Sequence, residues 1–419
     1  MPDTLDAIVV GGGAMGCASA YYLAKQGLQV RVVEAGRIGG GASHGNCGYI
    51  CPSHALPLTA PGAVGKTIGS AFNPDAALYI KPRLDPALWS WLTRFASRCR
   101  TKPMMQAAQA RNALLASSMS LYRELLADES IDVEWEDRGL LFVFKSAEEF
   151  EAYGKGVELA RREFGVRFDP YEGSRLTELE PALRPELAGA WHCPTDAHLR
   201  PDRLMTAMRG LLTTAGVELS EGVRVQHING AGGQATSLDT SAGPMRAPLF
   251  VLTTGAEAPH LADRLGCRLP IQPGKGYSIT LPRPASGPTM PMILEESHVA
   301  VTPWASGLRI GSTMEFVGYD RSINRRRIEL FRRAAAEHLV EAPTGLVEEE
   351  WSGWRPMTYD EIPCIGRAPK LKNVIVAAGH GMIGMSTMTA TGKLVSELAT
   401  DATPHIDPAP YALERFGRG

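Results

Sequence analysis

Apolar residues in this chain fall into short runs punctuated by glycine and proline, and the period of each run indicates its element. Ala7 to Val10 is uninterrupted apolar sequence, suited to a strand buried on both faces. Ala14 to Gln26 has helical spacing and stops at Gly27, and Val30 to Val33 is a second buried strand. Asp85 and Pro86 read as an N-cap and first helical residue ahead of Leu88, Trp91, Leu92 and Phe95, which repeat at helical spacing. A long helical pattern follows Pro103, from Met104 to Ala127, with Leu114, Leu115, Met119, Tyr122 and Leu125 on its apolar side. Gly139–Lys145 reads as a strand, Ala147–Phe164 and Pro201–Ala215 as helices, and Val217–Val225 and Leu249–Thr254 as strands. Pro270–Pro282 and Met290–Gly311 alternate as antiparallel strands do. Ile323–Leu339 is a helix, Asn373–Ala378 a strand, and a last helix runs from Ser386 to Thr400.

The first strand–helix–strand unit carries the sharpest chemistry. Gly11, Gly13 and Gly16 stand at G-x-G-x-x-G spacing between the strand and the helix, and Glu34 closes the second strand eighteen residues beyond Gly16. Gly11 suits a tight turn, Gly13 a close approach of backbone to a pyrophosphate, and Gly16 close helix–strand packing. The helix start offers unpaired N–H groups to phosphate, and the carboxylate of Glu34 suits a ribose hydroxyl. The loop Gly36–Pro52, GRIGGGASHGNCGYICP, follows directly and has the composition of backbone lying along a flat or charged ligand. Ser43 and Asn46 are its short hydrogen-bonding side chains.

The overall pattern is α/β at both ends with an α+β section between, and no internal repeat. It predicts an α/β fold with a Rossmann-type dinucleotide-binding domain built from discontinuous segments, 1–80, 199–270 and 350–419. An α+β substrate domain with an antiparallel sheet would then come from 81–198 and 271–349. Leu56–Phe72 is apolar but broken by Pro and Gly; a buried connecting loop is the preferred reading, a lid or membrane-touching segment the alternative.

At 419 residues, with 44% hydrophobic and 21% charged residues, the chain has the make-up of a globular protein with more than one domain. A net charge of −2 gives no electrostatic reason to expect nucleic acid, and Arg325–Arg327 reads as a solvated helix face. The seven cysteines include no CxxC pair. His44, Cys47 and Cys51 are the only metal-like grouping along the sequence and read as loop residues, so no metal is expected. Asp3 and Asp6 stand where a leader would be basic, and no run approaches the roughly 18 apolar residues of a membrane span. A cytoplasmic protein is the simplest expectation, with the inner face of a membrane as the alternative.

Six blocks in order make the chain resemble the family of FAD-dependent D-amino-acid dehydrogenases, glycine oxidases and sarcosine oxidases. They are GGGAMG (11–16) with Glu34, ASHGNCG (42–48), TTGAEAP (253–259), RIGSTMEF (309–316), WSGWRPMTYDEIPCIG (351–366) and GHGMIG (379–384). The likeness covers nearly the whole chain and is greatest to bacterial D-amino-acid dehydrogenases, those acting on D-hydroxyproline included. It implies FAD, held non-covalently because Cys364 does not fit the motif of covalent relatives. The positions it implies for the cofactor are Gly11, Gly13, Ala14, Met15, Gly16, Glu34, Ala35, Ser43, His44, Asn46, Gly48, Val225, Thr254, Gly255, Gly353, Gly381, Met382, Ile383 and Gly384. Arg355, in the G-x-R-P block, would hold a substrate carboxylate through two parallel hydrogen bonds; the competing reading is a surface arginine paired with Asp360 or Glu361. His380 would touch flavin or substrate, or else simply bond local backbone. His298 would line the pocket from a strand, and Tyr277 or Tyr359 would supply a hydroxyl or be core.

The chemistry implied is hydride transfer from the α carbon of a neutral amine to flavin N5, followed by hydrolysis of the imino acid, with no obligatory acid–base residue. D-proline or cis-4-hydroxy-D-proline leads the substrate expectations, before ordinary D-amino acids and sarcosine or glycine. The electron acceptor, oxygen or quinone or another, is open, as is the choice between homo- and hetero-oligomer. Three rival readings stand beside this one: the flavin subunit of a heteromeric dehydrogenase, a nicotinamide-dependent dehydrogenase, and a dinucleotide-binding sensor.

Overall fold

A computed structural model describes residues 5–417. Two sheets dominate it. The first has six strands in the order Cys364–Arg367, Val374–Ala378, Leu249–Leu252, Ala7–Val10, Val30–Val33 and Glu218–Ser220. All pair in parallel except the first two, which run antiparallel. Ala7–Val10 lies in the middle and is buried on both faces, as its unbroken apolar sequence requires. Ala7 and Val9 pack with the helices Ala14–Lys25, Thr101–Glu129 and Met388–Ala399. Ile8 and Val10 face a small three-stranded sheet, Val225–Ala231, Gln234–Thr240 and Gly243–Met245.

The second sheet is mostly antiparallel. Its strands run Glu349–Thr358, Ile271–Leu281, Gly307–Phe316, Val299–Trp304, Met292–Leu294, Leu140–Phe144, Gly189–Cys193 and Asp169–Tyr171, with Leu78–Ile80 added beside Gly307–Phe316. Strand alternation divides its two faces. Tyr277, Ile279, Val299, Val301 and Ile310 point to a core with the helix Arg325–His338. The opposite face, with Gly276, Ser278 and Arg309, meets the 43–51 loop: Ser278 Oγ donates to the Gly45 carbonyl at 3.0 Å. A ribbon of Tyr49–Ile50 with Ala197–His198 pins the far end of that loop.

Most expected elements occur with ends shifted by a few residues, and Asp85 caps its helix, accepting from Leu88 N at 3.0 Å. Two expectations need correction. Val217–Val225 is not one strand: Gly222, at φ +72°, turns the chain, so Glu218–Ser220 joins the parallel sheet and Val225 starts the small one. Leu56–Phe72 is not a buried loop; it includes a short helix, Ala63–Ile68, and leaves Leu58 and Phe72 over two-fifths exposed. Glu349–Thr358 and Leu78–Ile80 belong to the antiparallel sheet, and the helix Thr101–Glu129 packs with the parallel one. No helix among the described residues is long and apolar enough to cross a membrane.

Candidate active site

The Gly11–Gly16 turn is tight enough that side chains are excluded by backbone. A Cβ on Gly16 would stand 1.8 Å from the Gly11 carbonyl oxygen, and one on Gly11, at φ +102°, 2.8 Å from that of Thr253. Thr253 Oγ1 donates in this region, 2.9 Å from both the Val10 and Gly11 oxygens. Ala14 and Met15 open the helix, and the Ala14 N–H donates to Ser43 Oγ at 2.9 Å, bringing the later loop over the turn. Glu34 spreads its carboxylate across the same mouth, accepting from Gly12 N and Gly36 N at 2.7 Å each. Its own carbonyl accepts from Val223 N, and this residue rather than Val225 touches the end of the second strand. Across the sheet, Thr254 Oγ1 is buried with no hydrogen-bond partner among the described residues, next to Gly255 at φ +55°.

The 43–51 loop is clamped to the antiparallel sheet by Arg309, which sequence reading passed over. Arg309 is 1% exposed and donates to the His44 and Asn46 carbonyls at 2.8 and 2.9 Å, while its guanidinium lies 4.9 Å from the Trp304 ring centre. Glu349 neutralises it at 3.2 Å and also meets His44 Nε2 at 2.6 Å. His44 and Asn46 therefore hold the loop's shape, Asn46 Oδ1 accepting from Gly48 N at 2.7 Å. Gly48 is required by a close pass of the chain: its Cβ would stand 1.9 Å from the Leu199 oxygen. Thr302 Oγ1 donates to the Cys47 carbonyl at 2.8 Å, completing the clamp.

Arg355 reaches the same face from the neighbouring strand. Its guanidinium fills the space beside Gly276, where a Cβ would stand 2.1 Å from Nη1. Nη1 donates to the Thr313 carbonyl at 2.8 Å, and among the described residues no carboxylate lies within ion-pair distance. Burial pulls its pKa below that of an ordinary arginine, and the nearby Cys47 sulfur offsets this in part. The competing partners are engaged elsewhere: Asp360 with Arg415 at 2.9 Å and Glu361 with Arg111 at 3.3 Å. Arg355 is partly exposed, and its hydrogen bond to one carbonyl leaves donors of the kind that pair with a carboxylate.

The other four candidates do not join Arg355 equally. Tyr277 follows Gly276 and so points to the opposite face; it is 2% exposed, and its hydroxyl donates to Glu315 at 2.6 Å. It is a core residue and cannot offer that hydroxyl at the Arg355 face. Tyr359 is likewise buried, edge-on to Phe416. His380 is 3% exposed, with Nε2 3.1 Å from Thr391 Oγ1, and desolvation pushes its pKa down to about 3. It is a neutral packing residue between a strand and the last helix. His298 lies not in a strand but in the turn before Val299–Trp304, at φ +48° and exposed. Val299 pairs with Ser312, the neighbour of the Thr313 whose carbonyl Arg355 contacts, so His298 lies beside that strand end.

The remaining expected positions flank these groups. A Cβ on Gly353 would collide with the Trp351 ring at 2.2 Å, and the same ring lies 1.9 Å from the Cβ position of Gly45. Gly381–Ile383 forms a single tight turn after Val374–Ala378, with Gly381 at φ +55°, Met382 on the surface and Ile383 buried; Gly384 leads towards Met388–Ala399.

Residues 6–398 match the DAO family, described as FAD dependent oxidoreductase. The chain belongs to this family. Among relatives, it is 34% identical over 418 residues to a D-amino acid dehydrogenase of Paramagnetospirillum magneticum, covering 98% of both chains. It is 32% identical to one of Chromohalobacter salexigens, over 98% of this chain and 100% of that one. Among solved structures, glycine oxidase from Geobacillus kaustophilus superposes with a TM-score of 0.81 at 24% identity, over 98% of each chain. L-proline dehydrogenase from P. horikoshii does so at 0.78 and 21%, over 99% of this chain and 98% of that one. The mixed α/β fold is thus the fold of these enzymes.

As a DAO-family member the protein is an FAD-dependent oxidoreductase, and its residues fit that cofactor. The side-chain-free turn at Gly11–Gly16 leaves room for a pyrophosphate at the start of a helix, Glu34 stands at the ribose position of such folds, and Thr254 has a buried hydroxyl without a partner among the described residues.

Proposed function

We propose that the protein oxidises the Cα–N bond of a D-amino acid, and that a cyclic D-imino acid, D-proline or cis-4-hydroxy-D-proline, is its preferred substrate. Arg355 is the observation that carries this reading: a guanidinium beside the 43–51 loop, with no acidic partner among the described residues and a glycine opposite it to leave it space. The D-amino acid dehydrogenase names of relatives at 34% and 32% identity support the substrate class.

The substrate carboxylate pairs with Arg355, which fixes one end of the molecule and leaves the Cα–H to be aimed by the rest of the pocket. The same positive charge disfavours an ammonium group nearby, so the amine is bound neutral and no protein base is required. FAD, when bound, supplies the two-electron acceptor for the hydride. The product is an imine; an acyclic one adds water and gives a keto acid and ammonia, whereas a cyclic one keeps its nitrogen in the ring. Non-covalent attachment is supported by Cys364, which is buried in a strand paired with Ala378, its thiol pushed up to about 11 by burial. We propose further that Leu56–Phe72, where Leu58 and Phe72 are exposed, touches a membrane peripherally. Co-sedimentation with anionic lipid vesicles checks this, and protein left wholly in the supernatant defeats it.

The deciding experiment is an anaerobic titration of the flavin spectrum with D-proline, cis-4-hydroxy-D-proline, D-alanine and sarcosine. Bleaching by the two D-imino acids at the lowest concentrations is expected. A spectrum that stays oxidised with all four rejects the substrate class.

A further inference from the structure

The chain contains two turns of matching composition, Cys51-Pro52-Ser53-His54 and Cys193-Pro194-Thr195-Asp196. Separated by well over a hundred residues, they are brought together by the ribbon in which Ile50 pairs with Ala197 and Tyr49 with His198. Cys51 Sγ, a ring nitrogen of His54 and a carboxylate oxygen of Asp196 consequently lie within 4.8 Å of one another. The Cys193 thiol borders the same carboxylate. Asp196 is fully buried, accepts from Ser53 N at 3.0 Å and from the Ser53 hydroxyl, and has no cationic side chain acting on it among the described residues. Burying a carboxylate without a counter-ion of its own is costly; the Arg111 guanidinium beside this cluster acts on His54, donating to its carbonyl at 2.8 Å, and is already paired with Glu361 at 3.3 Å.

We propose that Cys51, His54 and Asp196 bind a divalent metal ion of the zinc class, with Cys193 placed to complete a tetrahedral shell. One thiolate, one imidazole and one carboxylate form a mixed ligand set that favours zinc over magnesium or calcium. The three-ligand charge sum is neutral, Cys51 and Asp196 each contributing one negative charge against the ion's two positive ones. Ligand atoms around tetrahedral zinc stand roughly 3.3–3.8 Å apart, given bonds of about 2.0–2.3 Å, so closing the site takes side-chain shifts of about 1 Å. The grouping differs from the His44, Cys47 and Cys51 set visible along the sequence: His44 is paired with Glu349, and Cys47 faces Arg309 and Arg355. The ion would tie the end of the loop that meets Arg355 to the turn that links the strand Gly189–Cys193 to Ala197–His198, acting as a structural staple.

The test uses full-length flavoprotein incubated with Zn²⁺, desalted and analysed for metal, beside the double variant Cys51→Ser/His54→Gln and the single variant Asp196→Asn. About one zinc per chain is expected in the wild type and less than about a tenth of that in the double variant. Replacement by Co²⁺ in the wild type should add tetrahedral d–d bands at wavelengths beyond the flavin absorption, a readout that stands even if a variant fails to fold. Equal metal in wild type and folded variants, absence of those bands, or a Cys51–Cys193 disulfide in protein isolated without reductant would each overturn the proposal.

Discussion

The turn at Gly11–Gly16 and the sheet face at Arg355 both depend on missing side chains, for opposite reasons. In the turn the vacant space belongs to backbone: Gly16 abuts the carbonyl of Gly11, five residues away. Nothing there can yield, and the geometry is encoded within one short stretch. At the sheet the space beside Gly276 belongs to the tip of a long side chain, Arg355, delivered by a neighbouring strand whose register sets Gly276 opposite Gly353. A flexible tip can retreat, so this site is expected to tolerate more change and, on the proposed reading, to affect affinity more than folding.

Substitutions sharpen that difference. Gly16→Ala puts a Cβ where no atom can move aside, and is expected to cost more than about 4 kcal/mol and give protein that retains no flavin; a yellow, normally stable variant would show that the turn has slack. Arg355→Ala removes the charge-assisted, two-pronged contact proposed for the substrate carboxylate, so kcat/KM for a D-amino acid should fall about 100- to 1000-fold with the flavin still bound. Flavin content measured beside steady-state rates separates the two effects. Gly276→Ala should sit between, displacing the guanidinium and raising KM about tenfold while leaving the melting temperature within a few degrees. If it behaves like Gly16→Ala, the sheet face is as rigid as the turn.

Smaller effects are expected behind the sheet and beside the last helix. Tyr277→Phe strands Glu315 without its hydroxyl donor and should destabilise by about 1–2 kcal/mol, yet leave KM within about twofold, because the hydroxyl lies on the face away from Arg355. His380 titrates near 3 in the folded protein against 6.5 when unfolded, because burial disfavours the imidazolium. Its contribution is therefore complete above the unfolded value and is lost as pH falls towards the folded one. Between pH 7 and pH 5 the wild type should lose about 2 kcal/mol more stability in urea than His380→Asn.

What could be read along the chain was whatever neighbours in sequence enforce. The β-α-β start, the glycine spacing and Glu34 were legible because strand, turn and helix share one continuous segment, and steric exclusion of Cβ acts over a few residues. Asp85 announced its helix for the same reason. The candidate site was legible only in part. Arg355 stood out through its block, but Tyr277 was indistinguishable from a pocket residue until strand alternation and the partner Glu315 fixed its face. Arg309, Gly276 and Val223 gave no local signal at all, since each matters through a group brought to it by sheet pairing or a turn. The pairing of two Cys-Pro-x-x turns is the extreme case. Along the sequence Cys51 grouped only with His44 and Cys47, and only the register of a two-stranded ribbon sets Cys51 and His54 against Asp196. Local sterics are written in adjacent residues, whereas the meeting of distant side chains depends on hydrogen-bond register across the whole fold.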